Sequence, residues 1–359
     1  MSEKALDNKC PSCSAPIFFN PTLGKWKCKY CDSEFTLDEI QKYNNASNIE
    51  NNSANDKIEN LDDVSYISYS CKNCGAEIVA DDETVATFCV YCGNTAILKN
   101  KLTGKFTPNK IIPFKVEKEK AIEAFKSLSK GRLLVPKEFS NPDNIEKITG
   151  LYIPFWLYDI NVSGSLNATA QVVSSWTSGD RRYTKTDRYK LYRTGSMSYY
   201  RIPVDGSTRF DNDIMNSIEP FDYDDLVGYN HAYLSGFLAE RYNVESDDAF
   251  VDAKRRALLS TKENMFNDMK GYTSKSIIEN TLEPRQTKVE YALLPVWMVN
   301  VKYNNEFYIF AMNGQTGEFV GNIPLDKKKV VLYSIIIFIS IFVLIGLGSY
   351  IIYKIGGLR

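Results

Sequence analysis

The eight cysteines of this 359-residue chain fall into two copies of one pattern. Cys10-Pro-Ser-Cys13 is followed after 14 residues by Cys28-Lys-Tyr-Cys31, and Cys71-Lys-Asn-Cys74 after 14 residues by Cys89-Val-Tyr-Cys92. None is left over. A Cys-x-x-Cys turn aims two thiolates at one point, and two such turns close a tetrahedral cage around Zn²⁺. The spacing predicts two β-hairpin ribbons, with ligands Cys10, Cys13, Cys28 and Cys31 in the first and Cys71, Cys74, Cys89 and Cys92 in the second. The copies match between the cysteines as well: Ala15 and Ile17 align with Ala76 and Ile78, and Tyr30 with Tyr91. Iron in a rubredoxin-like cage uses the same donors. Disulfides suit a secreted chain, and the polar N-terminal residues do not read as a signal peptide. Four thiolates fill every coordination position, so the metal is expected to be structural, two Zn²⁺ per chain, with no catalytic role.

The rest of the chain offers little else for chemistry, and no enzyme activity is expected. His231 is the one histidine, and as the first residue of an apolar segment it reads as a capping or packed side chain. Thr103-Gly104-Lys105-Phe106 resembles a phosphate loop fragment, but Lys99 stands where the first glycine is needed and Phe106 where Ser or Thr is needed. Asp211-Asn-Asp213 and Asp222-Tyr-Asp-Asp225 read as helix caps and solvated turns. Arg181 to Arg193 interleaves basic and aromatic residues, a mix that suits single-stranded nucleic acid; the favoured reading is a hairpin face whose cations protect a sheet edge. The net charge is −1. Residues 1–42 hold six Lys and six Asp or Glu, and residues 65–105 hold four of each, so neither ribbon has the basic face of a DNA-binding module.

Composition and patterning place these sites in a multidomain chain. The expected order is zinc ribbon 1 over 1–42, a flexible Asn-rich linker over 43–65, zinc ribbon 2 over 66–105, an α+β cytoplasmic domain with antiparallel sheets over 106–326, a transmembrane helix over 330–353 and a short tail over 354–359. Thr36 and Glu39 form a capping box for a short helix. Within the α+β domain, Ile111–Val116 reads as a strand and Glu117–Ser129 as a helix with Ala121, Ile122, Phe125 and Leu128 on one face. Strands follow from Leu151 to about Val204, with a turn at Thr177–Asp180. Ala232–Arg241 reads as a helix, and a longer one, capped by Ser246, runs to about Met269. Strands return over Tyr291–Tyr303 and Glu306–Ala311. Tyr152–Ile160 aligns with Leu293–Val301, each an apolar strand carrying Pro-x-Trp. Because proline cannot donate to a central ladder, each is expected at a sheet edge or strand start. The alignment is either two similar strands or a duplicated half-domain.

Val330 to Tyr353 carries no charge. At about 1.5 Å per residue it is long enough for a hydrocarbon core of roughly 30 Å. Lys327, Lys328 and Lys329 precede it, and Lys354 and Arg359 follow. The excess before the span favours a cytoplasmic body with the tail outside, which is also where thiolates stay reduced.

Several segments together resemble the bacterial membrane proteins with TFIIB-type zinc ribbons, found mainly in low-GC Gram-positive bacteria. They are SCKNCGAEIVADD and CVYCGN of ribbon 2, IIPFKV, GLYIPFWLYD, PVDGS, IEPFDY, AYLSGFLAERYNV, LLPVWMVN and FAMNGQTGEFVGNIPLDK. The resemblance covers nearly everything outside the Asn-rich linker and implies zinc at the same eight cysteines. Ser14 and Asp32 depart from it, since glycine commonly follows a knuckle there. Relatives often carry a name borrowed from the primosomal replication helicase, but this chain lacks the phosphate loop such an enzyme needs. Some resemble partners in envelope-stress modules built around phage-shock-like proteins, which implies an adaptor.

The expected function is therefore a membrane-anchored scaffold, held in the bilayer through 330–353, that recruits protein partners at the cytoplasmic face. A membrane-tethered nucleic-acid-binding protein is the alternative, and nucleic acid is not the expected partner. Phe18, Phe19, Trp26 and Tyr30 at the ribbon 1 tips are candidate anchors for a partner, or else pack over their own zinc site.

Overall fold

The computed structural model describes residues 9–43, 67–80, 89–91, 97–101, 108–129, 132–136, 139, 147–209, 212–304, 306–321 and 323–356. Residues 44–65 of the Asn-rich linker and Cys92 lie outside them; Tyr43, counted with the linker, is described.

Ribbon 1 is a three-stranded antiparallel sheet of β1 (Ile17–Asn20), β2 (Lys25–Cys28) and β3 (Glu34–Phe35). Helix α1 (37–43) follows, and the capping box is formed: Glu39 Oε2 accepts from Thr36 N at 2.7 Å, and Thr36 Oγ1 from Glu39 N at 3.4 Å. Ribbon 2 comprises β4 (Ile67–Cys71), β5 (Glu77–Ala80) and β6 (Ile97–Lys101). These strands belong to the large sheet of the α+β domain. The strand expected over Ile111–Val116 is reduced to β7 (Lys110–Ile111), after which comes α2 (Lys118–Ser129) with Ala121 and Phe125 buried.

The centre of the domain is one pair of long strands. β8 (Thr149–Ser178) returns as β9 (Arg181–Asp205), and β13 (Glu283–Tyr303) returns as β14 (Glu306–Asn313). β8 and β13 pair antiparallel from Thr149↔Met298 to Ser163↔Glu283. Ile153 faces Leu294 at the middle of the Pro-x-Trp repeat, and its flanking pairs, Tyr152↔Pro295 and Pro154↔Leu293, exchange under a two-fold rotation about that point.

The remaining elements obey the same rotation. β7 lies parallel to β13 at Ala292↔Lys110 and Leu293↔Ile111. β11 (Leu238–Glu240) lies parallel to β8 at Leu238↔Leu151 and Ala239↔Tyr152. Helix α4 (Ser246–Asp268) follows β11 as α2 follows β7. The chain is thus two interlocked strand–helix–hairpin units, each lending its short strand to the other's long one. Beyond the repeat, α3 (Asn212–Ser217), β10 (Val227–Gly228), β12 (Ser274–Asn280) and β15 (Phe319–Val320) complete the body.

Both repeat prolines sit inside interior strands, against expectation. The register explains how. Beside Pro154 the neighbour of β8 changes from β11, last paired at Tyr152, to β9, first paired at Phe155. Beside Pro295 the neighbour of β13 changes from β7 to β14 in the same way. The missing N–H faces a break in the ladder where no acceptor waits. Each proline carbonyl is used, accepting from Gly206 N and Gly314 N respectively, both at 2.8 Å.

Two other expectations fail. Ala232–Arg241 is not a helix but a 3-10 turn, His231–Leu234, followed by β11. Its apolar run suits either element; pairing with β8 on one side and β5 on the other decides for strand. Ser246 does not cap α4: it is the first helical residue, and the cap position is Glu245, without a side-chain cap bond.

Alternation along β8 sends Leu151, Ile153, Phe155 and Leu157 to one core and Tyr152 to the other, while Tyr158, Ile160 and Val162 meet the α4 alanines Ala249, Ala253 and Ala257. Two positions of β8 admit no side chain: a Cβ on Gly164 would stand 2.2 Å from Thr281 O in the β12–β13 connection, and one on Gly150 would stand 2.5 Å from the Phe237 ring.

The C-terminal helix α5 (Lys327–Gly356) is apolar and long enough to cross a membrane over Lys327–Tyr350, and none of that segment's apolar window is buried against the body. It is not a core helix. Its root is held by Asp326 N to Leu134 O at 2.9 Å and Lys329 Nζ to Val135 O at 2.7 Å.

Candidate metal centres

Both clusters are built from the same local turn. In the first knuckle Ser14 N donates to Cys10 O (2.8 Å) and Cys10 N to Ala15 O (2.7 Å). The second repeats this with Asp32 N to Cys28 O (3.0 Å) and Cys28 N to Ser33 O (2.9 Å), and the third with Gly75 N to Cys71 O (2.9 Å) and Cys71 N to Ala76 O (2.8 Å). The residue after each knuckle is left-handed: Ser14 at φ 59°, Asp32 at φ 57° and Gly75 at φ 69°. Ser14 and Asp32 therefore keep the turn that glycine forms in ribbon 2, at a cost of about 1 kcal/mol each.

The turns bring together the predicted sulfurs. Cys10, Cys13, Cys28 and Cys31 place their Sγ atoms within 4.8 Å of one another, and so do Cys71, Cys74 and Cys89. Cys10 to Cys31 and Cys13 to Cys28 are each 3.5 Å, and Cys74 to Cys89 is 3.6 Å. A tetrahedral Zn–S bond of about 2.3 Å requires sulfurs about 3.8 Å apart, so the donors fit such an ion. Cys10 and Cys28 are buried while Cys13 and Cys31 are exposed. Hydrogen bonding between Cys31 and Ser33, Sγ to hydroxyl at 3.3 Å and also through the Ser33 backbone, holds the Cys31 thiol down to about 6, toward the ligating form.

Each ribbon is docked on the body. Trp26 Nε1 of ribbon 1 donates to Ala232 O at 2.9 Å, and Phe19 and Trp26 pack against Tyr233 with ring centroids 5.4 and 5.1 Å apart. Phe19 and Trp26 are buried there, and Tyr30 alone of the four candidate anchors stays fully open, at 77% exposure. Of the aromatic residues read as partner anchors, or as a lid over their own metal, Phe18, Phe19 and Trp26 instead meet the 230–237 segment.

Ribbon 2 is joined more firmly. β5 pairs with β11 at Val79↔Ala239 and Ile78↔Glu240. Glu240, fully buried, accepts from Ser207 Oγ at 2.6 Å and pairs with Arg209 Nε at 3.2 Å. Arg209 also donates through Nη2 to Gly75 O at 2.9 Å and lies over the Tyr91 ring. Asn300 donates to Tyr91 O. Arg209 thus links the two knuckles of ribbon 2 to the domain sheet. Burial pushes the Glu240 carboxyl up to about 7, with Ser207, Tyr91 and Arg209 pulling the other way. Ser207, Arg209 and Glu240 have no motif that sequence reading finds, because their roles exist only once β5 meets β11.

The other candidates behave as caps and packed groups. Asp222 Oδ1 accepts from Asp224 N at 3.0 Å, and Asp225 pairs with Lys115 at 2.5 Å. Asp213 opens α3. Asp211 and the Thr103–Phe106 segment lie outside the described residues. His231 starts the 3-10 turn, and burial lowers its pKa, so it is a packed, uncharged imidazole.

Fold and site define the class: an α+β protein bearing cysteine clusters fitted to metal, with one helix suited to a membrane. No family model and no solved structure matches the chain. It belongs to the same family as the protein recorded as "Uncharacterized protein YdjG" of Bacillus subtilis (strain 168), to which it is 34% identical over 325 residues, 90% of this chain and 92% of that one.

Proposed function

We propose that this protein is a membrane-anchored scaffold. Two structural zinc ribbons brace its α+β body, α5 tethers it, and the body recruits protein partners at the cytoplasmic face, in the manner of an adaptor in envelope stress. The observation that supports this reading best is the closed sulfur cage of ribbon 1: four thiolates leave a metal no position for water or substrate, and they stand beside docking contacts rather than a cleft of acid–base groups. Cytoplasmic placement rests on the lysine triplet before α5 and on thiol chemistry.

The test is a crosslinking pull-down of the full chain from native membranes, with and without nuclease, quantifying both protein and nucleic acid. A protein recovered at fixed stoichiometry after nuclease treatment is the expected result. Recovery of nucleic acid alone, or of nothing at fixed stoichiometry, would sink the reading.

A further inference from the structure

The distal half of the β8–β9 hairpin serves no core. Beyond Gln171 on β8 and before Lys190 on β9, every residue of the two strands but Val172 and Asp187 is exposed, and those two are only half-buried. An isolated two-stranded ribbon is marginal in water, so such an arm has no folding rationale of its own. Its charge is also segregated. Gln171 to Arg193 holds six cations and two carboxylates, net +4, in a chain whose total is −1. Lys185 pairs with Asp187 at 2.9 Å, whereas Arg181, Arg182, Arg188, Lys190 and Arg193 form no ion pair among the described residues.

Register sorts the arm into two faces. On one, Arg182, Arg188 and Lys190 stand among Ser175, Thr184 and Thr186, with no carboxylate. On the other, Trp176 and Tyr183 stack near the tip, centroids 5.7 Å apart and planes 14° apart, with the tryptophan half exposed. We propose that this arm binds single-stranded nucleic acid, its cations and hydroxyls on phosphates and its tip aromatics on bases. Phosphodiesters need cationic and hydroxyl donors, which the cationic face supplies with no carboxylate to oppose them, and Tyr192 adds an exposed ring beside Lys190. Exposed rings accept any base by stacking. The anchoring bilayer is not the polyanion. The α5 root packs through Leu134, Val135 and Phe139 near the Tyr303 end of β13, and the β8–β9 turn at Gly179 lies at the opposite end of β8. This inference goes beyond protein recruitment and does not rest on it.

The test uses the full chain, zinc-loaded, in detergent micelles, with a labelled 20-nucleotide mixed-sequence single strand and a salt titration. Three phosphate contacts, from Arg182, Arg188 and Lys190, predict a slope of log affinity on log salt of about −2. Arg182→Ala with Arg188→Ala is expected to weaken binding at least tenfold and to flatten the slope by about 1.4. Replacing both by Lys keeps the slope. Trp176→Ala should weaken binding about tenfold with the slope unchanged. All three sites are exposed, and metal content with the thermal midpoint checks folding. The proposal is overturned by no binding near 150 mM salt, by a slope indifferent to the arginines, by equal affinity for a duplex of the same length, or by displacement with polyglutamate at equal charge.

Discussion

Trp156 and Trp297 occupy the same position in two copies of one unit. Trp156 Nε1 donates to Val244 O and Trp297 Nε1 to Val116 O, both at 2.9 Å. Val244 belongs to the second unit and Val116 to the first, so each tryptophan reaches into the other copy. The segments they meet are also equivalent: Val244 N and Asn243 N donate to Gly206 O, as Val116 N and Lys115 N donate to Gly314 O.

This reciprocity predicts one cooperative domain. Trp156→Phe and Trp297→Phe each leave a carbonyl without its donor, and each should cost about 1–2 kcal/mol. Denaturant unfolding followed by far-UV and near-UV signals should stay a single coincident transition in both variants. Separate transitions for the two halves would show that the units fold independently.

Ribbon 2 should not come apart alone. Cys74→Ser is expected to lower the metal content from two to one per chain. It should also destabilise the α+β domain, because β5 completes the sheet beside β11. Arg209→Ala should keep both metals and still cost about 2 kcal/mol, since the buried Glu240 loses its partner. Elemental analysis beside a denaturation curve separates the two effects. Modules isolated by their linkers would instead leave the domain untouched.

Asp205 corresponds to Asn313 across the repeat. Asn313 donates to Ile218 O and Pro220 O, at 2.9 and 3.2 Å. Burial, together with Asp252 and Glu219, raises the Asp205 carboxyl to about 6. Its folded pKa exceeds its unfolded value near 4, so the stability it contributes is complete below about pH 4 and lost as pH rises through about 6. Asp205→Asn should raise stability at pH 7.5 by about 1 kcal/mol, allowing for partial exposure, and should flatten that window. A variant less stable than wild type at pH 7.5 would contradict this.

Topology is best read with engineered cysteines. Cys10 is buried and would resist labelling from either side. Leu23→Cys, at the exposed β1–β2 turn, should resist a membrane-impermeant maleimide in intact cells and react after lysis. Leu358→Cys should react from outside. The opposite pattern would put the thiolate cages in an oxidising space.

Much of the fold was legible in short-range chemistry. Knuckle spacing placed the sulfurs, apolar period placed α2 and α4, the Gly179 turn set the β8–β9 hairpin, and an uncharged run marked the span within α5. The Pro-x-Trp repeat was legible too, as an alignment. Apart from that repeat, these signals are local: each depends on residues within one short window of sequence, which pattern alone encodes.

What only the tertiary structure decided was long-range pairing. Whether Leu238–Glu240 is helix or strand turned on β8 and β5 lying to either side of it. Proline was admissible inside β8 and β13 because neighbouring strands change there, a gap no sequence window contains. Trp26 read as a partner anchor or as a lid over its own zinc site on equal terms, and it is neither: its acceptor is Ala232 O, 206 residues away. The sequence by itself determined the cysteine clusters that could hold a metal, the hairpins and the membrane-suited helix. The tertiary structure alone decided that both ribbons are part of the body, because backbone partners and buried acceptors are supplied by segments far apart in the chain.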